Sequence, residues 1–134
     1  MIGQYDNNRP IFQQIINQIL LKIATSEFAP GDKIAPVREM AVDYKVNPNT
    51  MQKSLAKLEE MGYLFTERTS GRYVTHDLEL IKSLKSRLPA QITEKYVQDM
   101  LDCGAAAEDI PGYIKNYLEG MMQDGKYSSD QQLK

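Results

Sequence analysis

The stretch KIAPVREMAVDYKVNPNTMQKSLAKLEEMGYLFTERTSGRYVTH, residues 33–76, constrains the fold more than any other part of the chain. Apolar residues recur in it at helical spacing in two successive runs. Val37, Met40, Ala41 and Tyr44 form the first stripe; Met51, Leu55, Leu58 and Met61 form the second. The first helix begins near Pro36 and stops at Lys45-Val46. Asn47 is then a good N-cap and Pro48 a good first helical residue, so the next helix starts there. Gly62 ends it. Tyr63–Thr66 and Tyr73–Thr75 are rich in β-formers and flank Arg68-Thr69-Ser70-Gly71-Arg72, which predicts a hairpin. Helix, tight turn, helix and hairpin make up a winged helix-turn-helix, which lays its second helix in the major groove of DNA. A lone hairpin is marginal, so this one needs the helices beneath it.

The flanks extend this core. Residues 1–9 are polar and are expected to be mobile. Pro10 opens a helix in which Ile11, Ile15, Ile19 and Ile23 recur every four residues, with Phe12, Ile16 and Leu20 in the adjacent row. That broad apolar face predicts a well-buried helix ended by the Pro30-Gly31 turn. From Asp77 the run Leu78, Ile81, Leu84, Leu88, Ile92, Tyr96 and Met100 keeps helical spacing. Pro89 is expected to kink or divide it. Cys103-Gly104 is a stop, a final helix carries Ile110, Tyr113, Ile114, Tyr117, Leu118 and Met121, and the tail GKYSSDQQLK is expected to fray. The fold class is therefore mainly α with a small β-hairpin. Residues 9–76 form the winged helix, and residues 77–125 form a short α-helical dimerisation region.

Size and charge bound what such a chain can do. Its 134 residues allow one domain with an appendage, and no separate ligand-binding domain of ordinary size. The formal charge is -2. Residues 1–76 hold nine Lys/Arg against eight Asp/Glu, while residues 77–134 hold seven against ten. Any basic footprint for DNA must therefore be a local patch. Cys103 is the only cysteine, which excludes an intrachain disulfide and fits a reducing compartment. The N-terminus lacks the apolar core of a signal peptide, and no apolar run approaches the roughly 20 residues that span a bilayer. The expected address is the cytoplasm, with no membrane partner.

With residues 51, 55, 58 and 61 inward, the helix after Pro48 presents Asn49, Thr50, Gln52, Lys53 and Lys57. Asn and Gln can bond adenine edges bidentately, and Thr can bond a base or meet the thymine methyl. Lys53 and Lys57 suit phosphates. Any exposed helix face is polar, however, and the surrounding order of elements is what favours DNA. Arg38, in the first turn of the preceding helix, can reach a phosphate or the groove; a surface ion pair with Glu39 or Asp43 is the alternative. Arg68 and Arg72 bracket Gly71 at the hairpin tip, where a wing meets flanking phosphates or an ordinary solvated turn points into water.

These residues resemble the GntR family of bacterial transcription regulators, and its YtrA-type branch in particular. The resemblance runs from Pro10-Ile11-Phe12 through FAPGDKI, PVREMA and VNPNT to the wing RTSGRYV, and is weaker beyond residue 76. It implies a winged-helix dimer on an inverted-repeat operator, usually as a repressor, with Arg38, Asn49 and Thr50 touching DNA and Asn47, Gln52 and Lys53 beside them. It also implies that Gly71 lets the wing approach the DNA backbone, that the tail dimerises, and that transporter genes are controlled. The chain departs from the pattern at three places. Ile34-Ala35-Pro36 stands for the usual Leu-Pro-Ser, which removes a hydroxyl able to cap a helix and bond phosphate. In the wing, Thr69 replaces a Gly and Arg72 a Thr. Pro48 stands where many relatives outside the branch carry Arg, which points to an operator leaning towards A/T.

The near-neutral first half fits a winged helix that binds protein instead of DNA. An enzyme is poorly supported: the sole His76 has no Cys or carboxylate at ligand or triad spacing, and no phosphate-binding glycine loop is present. Asp99, Asp102, Glu108 and Asp109 read as a solvated acidic face, and Cys103 as a packed small side chain. No metal, cofactor or effector site is indicated. Leu84, Leu88, Ile92, Tyr96, Met100, Tyr113, Tyr117 and Met121 exceed what one thin helical layer buries, so a two-fold contact between copies is expected to cover them; packing back onto the winged helix is the alternative.

Overall fold

The computed structural model describes residues 4–125; residues 1–3 and 126–134, which include most of the tail expected to fray, lie outside it. The elements follow the order α1 (Ile11–Ala24), α2 (Val37–Asp43), α3 (Pro48–Glu60), β1 (Leu64–Glu67), β2 (Gly71–Val74), α4 (Leu78–Asp102), a single 3-10 turn (Ala107–Asp109) and α5 (Ile110–Gln123). The chain is mainly helical with one antiparallel hairpin, as the sequence predicts. It forms two compact units, one ending at Leu88 and the other beginning at Pro89.

In the first unit α1 supplies the floor of the core. Ile15, Ile19 and Ile23 are fully buried, and the four-residue repeat that places them on one stripe also brings Ile16 and Leu20 inside. Against them pack Met40, Ala41 and Tyr44 of α2, Met51, Leu55 and Leu58 of α3, and Leu64 and Val74 of the hairpin. Cutting one such Ile to Ala would cost about 2–5 kcal/mol. The α3 stripe weakens at its end: Met61, expected inside, is the C-cap and is 37% exposed.

The α2–α3 turn is a Schellman-type stop. The Val46 N–H reaches back to the Ala41 carbonyl at 2.9 Å, and Lys45 takes φ 57, where glycine is the usual occupant. α3 then opens as its sequence predicts: Asn47 is the N-cap, its side chain accepts from the Asn49 N–H, and Pro48 follows. At the other end Gly62, at φ 91, lets the Tyr63 N–H bond the Leu58 carbonyl.

The hairpin is not alone. β1 pairs β2 with Phe65 opposite Tyr73 and Thr66 opposite Arg72. The segment Gly31–Ile34, which the sequence offered only as a turn, lies along the other edge of β2. The Gly31 N–H bonds the Val74 carbonyl, the Val74 N–H bonds the Asp32 carbonyl, and the Ile34 N–H bonds the Arg72 carbonyl. Gly71 and Arg72, expected in the loop, are the first residues of β2.

The segment before α1, expected to be mobile, is hydrogen-bonded to it at Asp6 and Arg9. The buried Gln14 accepts from the Asp6 N–H and donates to the Asp6 and Arg9 carbonyls. Of the kink or division expected at Pro89 the division is not made, since α4 is a single helix from Leu78 to Asp102, although the boundary between the two units falls at this proline. Its N-terminal part joins the first unit's core through Ile81 and Leu84.

Among the described residues of the second unit only Ile110 is buried. α4 stops at Gly104, as predicted, with the Ala105 N–H on the Met100 carbonyl. No helix among the described residues is long and apolar enough to cross a membrane.

Candidate nucleic-acid interface

α3 is held so that one long face is free. Its inner face is fixed by Met51, Leu55 and Leu58 and by Ser54, a fully buried hydroxyl whose one proton is shared between the Thr50 carbonyl at 2.9 Å and the Phe12 carbonyl at 3.2 Å. The outer face presents Asn49, Gln52 and Lys57 as exposed side chains, with Thr50 half-buried beside them. These side chains can bond base edges and phosphates.

The cations sort differently. Arg38, exposed on α2, makes no ion pair among the described residues; the pair with Glu39 or Asp43 is not formed. Lys53 places its ammonium 4.3 Å from the Phe12 ring centroid, a cation–π contact that steers the side chain along α1. Lys57 lies 3.5 Å from Glu60, both well exposed, so the pair is easily given up to a phosphate. Asn47 spends its side-chain oxygen on the cap, which leaves its amide NH2 as the donor for a contact.

At the wing, Arg68, Thr69 and Ser70 form the exposed turn, closed by the Ser70 N–H on the Glu67 carbonyl. Phe65 and Tyr73 stack at 5.6 Å and stiffen the strands. Gly71 sits at φ 125, and a Cβ there would stand 3.1 Å from the Lys33 side chain. The close approach at this glycine is thus made by Lys33, a cation in the segment before α2. A cleft of about 300 Å³, lined in part by Lys33, Pro36, Thr66 and Arg72, separates the wing from the start of α2.

Arg72 departs most from expectation. It was expected to reach a phosphate, yet only 17% of its side chain is exposed, and its Nε lies 3.6 Å from a Glu59 carboxylate oxygen. The other Glu59 oxygen accepts from the Thr66 hydroxyl at 2.5 Å. Glu59 and Thr66 were missed by sequence reasoning. The available signal was a carboxylate seven residues after Gln52, which puts it on nearly the same face of α3.

The apolar residues of the tail divide as well. Leu84 and Leu88, expected at a contact between copies, pack instead in the first unit's core, Leu84 with no exposed surface at all. Within the second unit Ile92, Tyr96, Met100, Tyr113 and Tyr117 line an apolar cleft of about 600 Å³, and Met121 is half-buried. Tyr117 is 71% exposed and Ile92 59%. Among the described residues no group of three or more His, Cys, Asp or Glu could hold a metal.

Residues 11–74 match the family described as bacterial regulatory proteins, gntR family. The chain is 36% identical over 120 residues to the uncharacterized HTH-type transcriptional regulator YhcF of Bacillus subtilis, covering 90% of this chain and 99% of that one. It is 30% identical over 111 residues to the HTH-type transcriptional repressor YtrA of the same organism, covering 81% and 85%. A GntR family transcriptional regulator from Listeria monocytogenes has a solved structure that superposes with a TM-score of 0.74 at 36% identity, covering 84% of this chain and 98% of that one.

Proposed function

This chain belongs to the gntR family of bacterial regulatory proteins, as a transcriptional regulator with a DNA-binding domain and not an enzyme, and on that premise we propose that it acts as a dimeric repressor that reads an inverted-repeat operator through α3. The observation that carries the reading is the free face of α3. Asn49 and Gln52 stand exposed on a helix whose start is fixed by the Asn47 cap and whose back is fixed by Ser54 and Phe12. A rigid helix with amides on its outer face has what base readout requires. Arg38, Thr50, Lys53, Lys57 and Arg68 flank these amides and supply the phosphate contacts, with the Asn47 amide at the turn.

The dimer has its own support. A second unit whose described residues bury only Ile110 cannot hold itself together by its own core. Covering the cleft of Ile92, Tyr96, Met100, Tyr113 and Tyr117 with the same face of another copy is the self-complementary solution that two-fold symmetry offers. Two copies of α3 then meet half-sites about 34 Å apart, or a multiple of that. Repression of its own operon and of transporter genes follows the short-tailed regulators that the sequence resembles. The family and the free face of α3 both favour DNA over a protein partner. The protein works in the cytoplasm, where its operator is.

The test is a mobility shift on the DNA upstream of the chain's own gene across a salt series. Saturable, sequence-selective binding that weakens steeply with salt is expected. Binding that is absent, or insensitive to salt, would sink the proposal.

A further inference from the structure

Glu59 occupies a position where a DNA-reading surface would ordinarily exclude negative charge. It sits one residue before the end of α3, at helical spacing from Gln52, and its carboxylate is half-buried with 32% of the side chain exposed. One oxygen accepts from Thr66 of β1, and the other faces the Nε of Arg72 of β2. Thr66 and Arg72 are directly opposite in the hairpin register. A single carboxylate therefore ties both wing strands to the end of the reading helix.

We propose that Glu59 is a specificity-determining positioning residue: it fixes the wing against α3 and holds the Arg72 guanidinium off the DNA backbone. The inference rests on the DNA-binding reading above. Its physical content is a competition for one cation. Arg72 has its Nε buried with no hydrogen-bond partner in the structure, so it is held by charge and confinement and not by a well-formed bond. A phosphate would be a stronger partner, because an arginine fork bonds phosphate bidentately. Glu59 opposes that exchange, since a departing Arg72 would leave its carboxylate uncompensated near the DNA. Phosphate contacts carry no sequence information. In a chain whose first 76 residues hold only one more cation than anion, withholding one such contact raises the share of binding that comes from bases.

The experiment uses the full chain and two probes, the DNA upstream of its own gene and a random-sequence duplex, with affinity measured across a salt series. Glu59→Gln keeps an oxygen for Thr66 but removes the charge that holds Arg72. Its expected signature is tighter binding to random duplex, a smaller ratio of operator to random affinity, and a log–log salt slope steeper by roughly 0.9, the increment of one added phosphate contact. The double variant Glu59→Gln with Arg72→Gln should return the slope to that of the wild type. A residue that merely stabilised the fold would shift melting and lower both affinities without steepening the slope. Should Glu59→Gln fail to fold, Arg72→Gln alone decides: an unchanged slope supports the proposal, and a slope shallower by about 0.9 overturns it. Wild-type binding with Glu59→Gln unmoved would overturn this inference alone. Wild-type protein with no salt-dependent selective binding would instead remove the reading beneath it.

Discussion

The Tyr5 hydroxyl donates a 2.6 Å hydrogen bond to the main-chain carbonyl of Tyr44, across 39 positions of sequence. The segment ahead of α1 thereby closes the end of α2 at the turn that aims α3. The Tyr44 side chain points the other way, into the core, where its own hydroxyl is buried without a partner.

That hydroxyl predicts an alkaline weakness. Burial, reinforced by Tyr5, Glu27 and Asp43, pushes the Tyr44 pKa from 10.0 up to about 12. The folded state thus holds the phenol proton more firmly than the unfolded chain does. The resulting stability is fully present below pH 10 and is lost as pH rises through about 12. The loss is on the order of 2–3 kcal/mol at most. Tyr44→Phe keeps the Tyr5 bond, which uses the carbonyl, and should flatten the decline. Near neutral pH it should leave stability unchanged or raise it by up to about 1 kcal/mol, because an unpaired buried hydroxyl is removed. Urea melts of both proteins between pH 8 and 11 read this directly; parallel declines would clear Tyr44 of the effect.

Asn49→Ala and Arg38→Ala should each weaken operator binding by roughly 1–3 kcal/mol. Both side chains are exposed, so melting should not move. Mobility shifts paired with thermal melts check the claim. If neither variant binds more weakly, α3 reads the groove with another face or does not read it.

Much of this face was legible in the sequence. Asn47-Pro48 announces the start of α3 by local chemistry alone, and the every-fourth-residue isoleucines announce α1, because both signals lie within one helix. What was hidden depends on contacts between elements. Nothing near Arg72 in sequence says that Glu59 will face it; only the hairpin folding back on α3 brings them together. Leu84 keeps the same spacing as Ile92, yet one is in the core and the other on the surface, since periodicity marks a face without saying what covers it. The pairing of Gly31–Ile34 with β2 was missed because a segment this short, beside Pro30, carries no alternating pattern.

Replacing an apolar residue of the second unit's cleft by a charge should leave the chain monomeric. Ile92→Asp and Tyr117→Asp alter exposed side chains, so the first unit's melting should hold while light scattering at micromolar concentration falls from a dimer mass to a monomer mass. Operator affinity should drop with it. A persistent dimer would mean that another face joins the copies.

Lys45 holds φ 57 in the α2–α3 turn, a conformation that strains any residue with a Cβ. Lys45→Gly should relieve about 1 kcal/mol, less the backbone entropy that glycine gives up on folding. The net expectation is a melting temperature unchanged or higher by about 2 degrees. A lower one would show that the lysine side chain contributes more than its backbone costs.

The second unit, whose described residues form almost no core, gives the proposed dimer a property that the winged helix lacks. A surface that is covered only by another copy is covered in proportion to how many copies there are. On dilution the two reading helices would part, and the operator would lose both at once instead of one after the other. The chain would then measure its own abundance: scarce protein leaves its operon open, plentiful protein closes it, and the threshold is set by the apolar area around Tyr117 and Ile92.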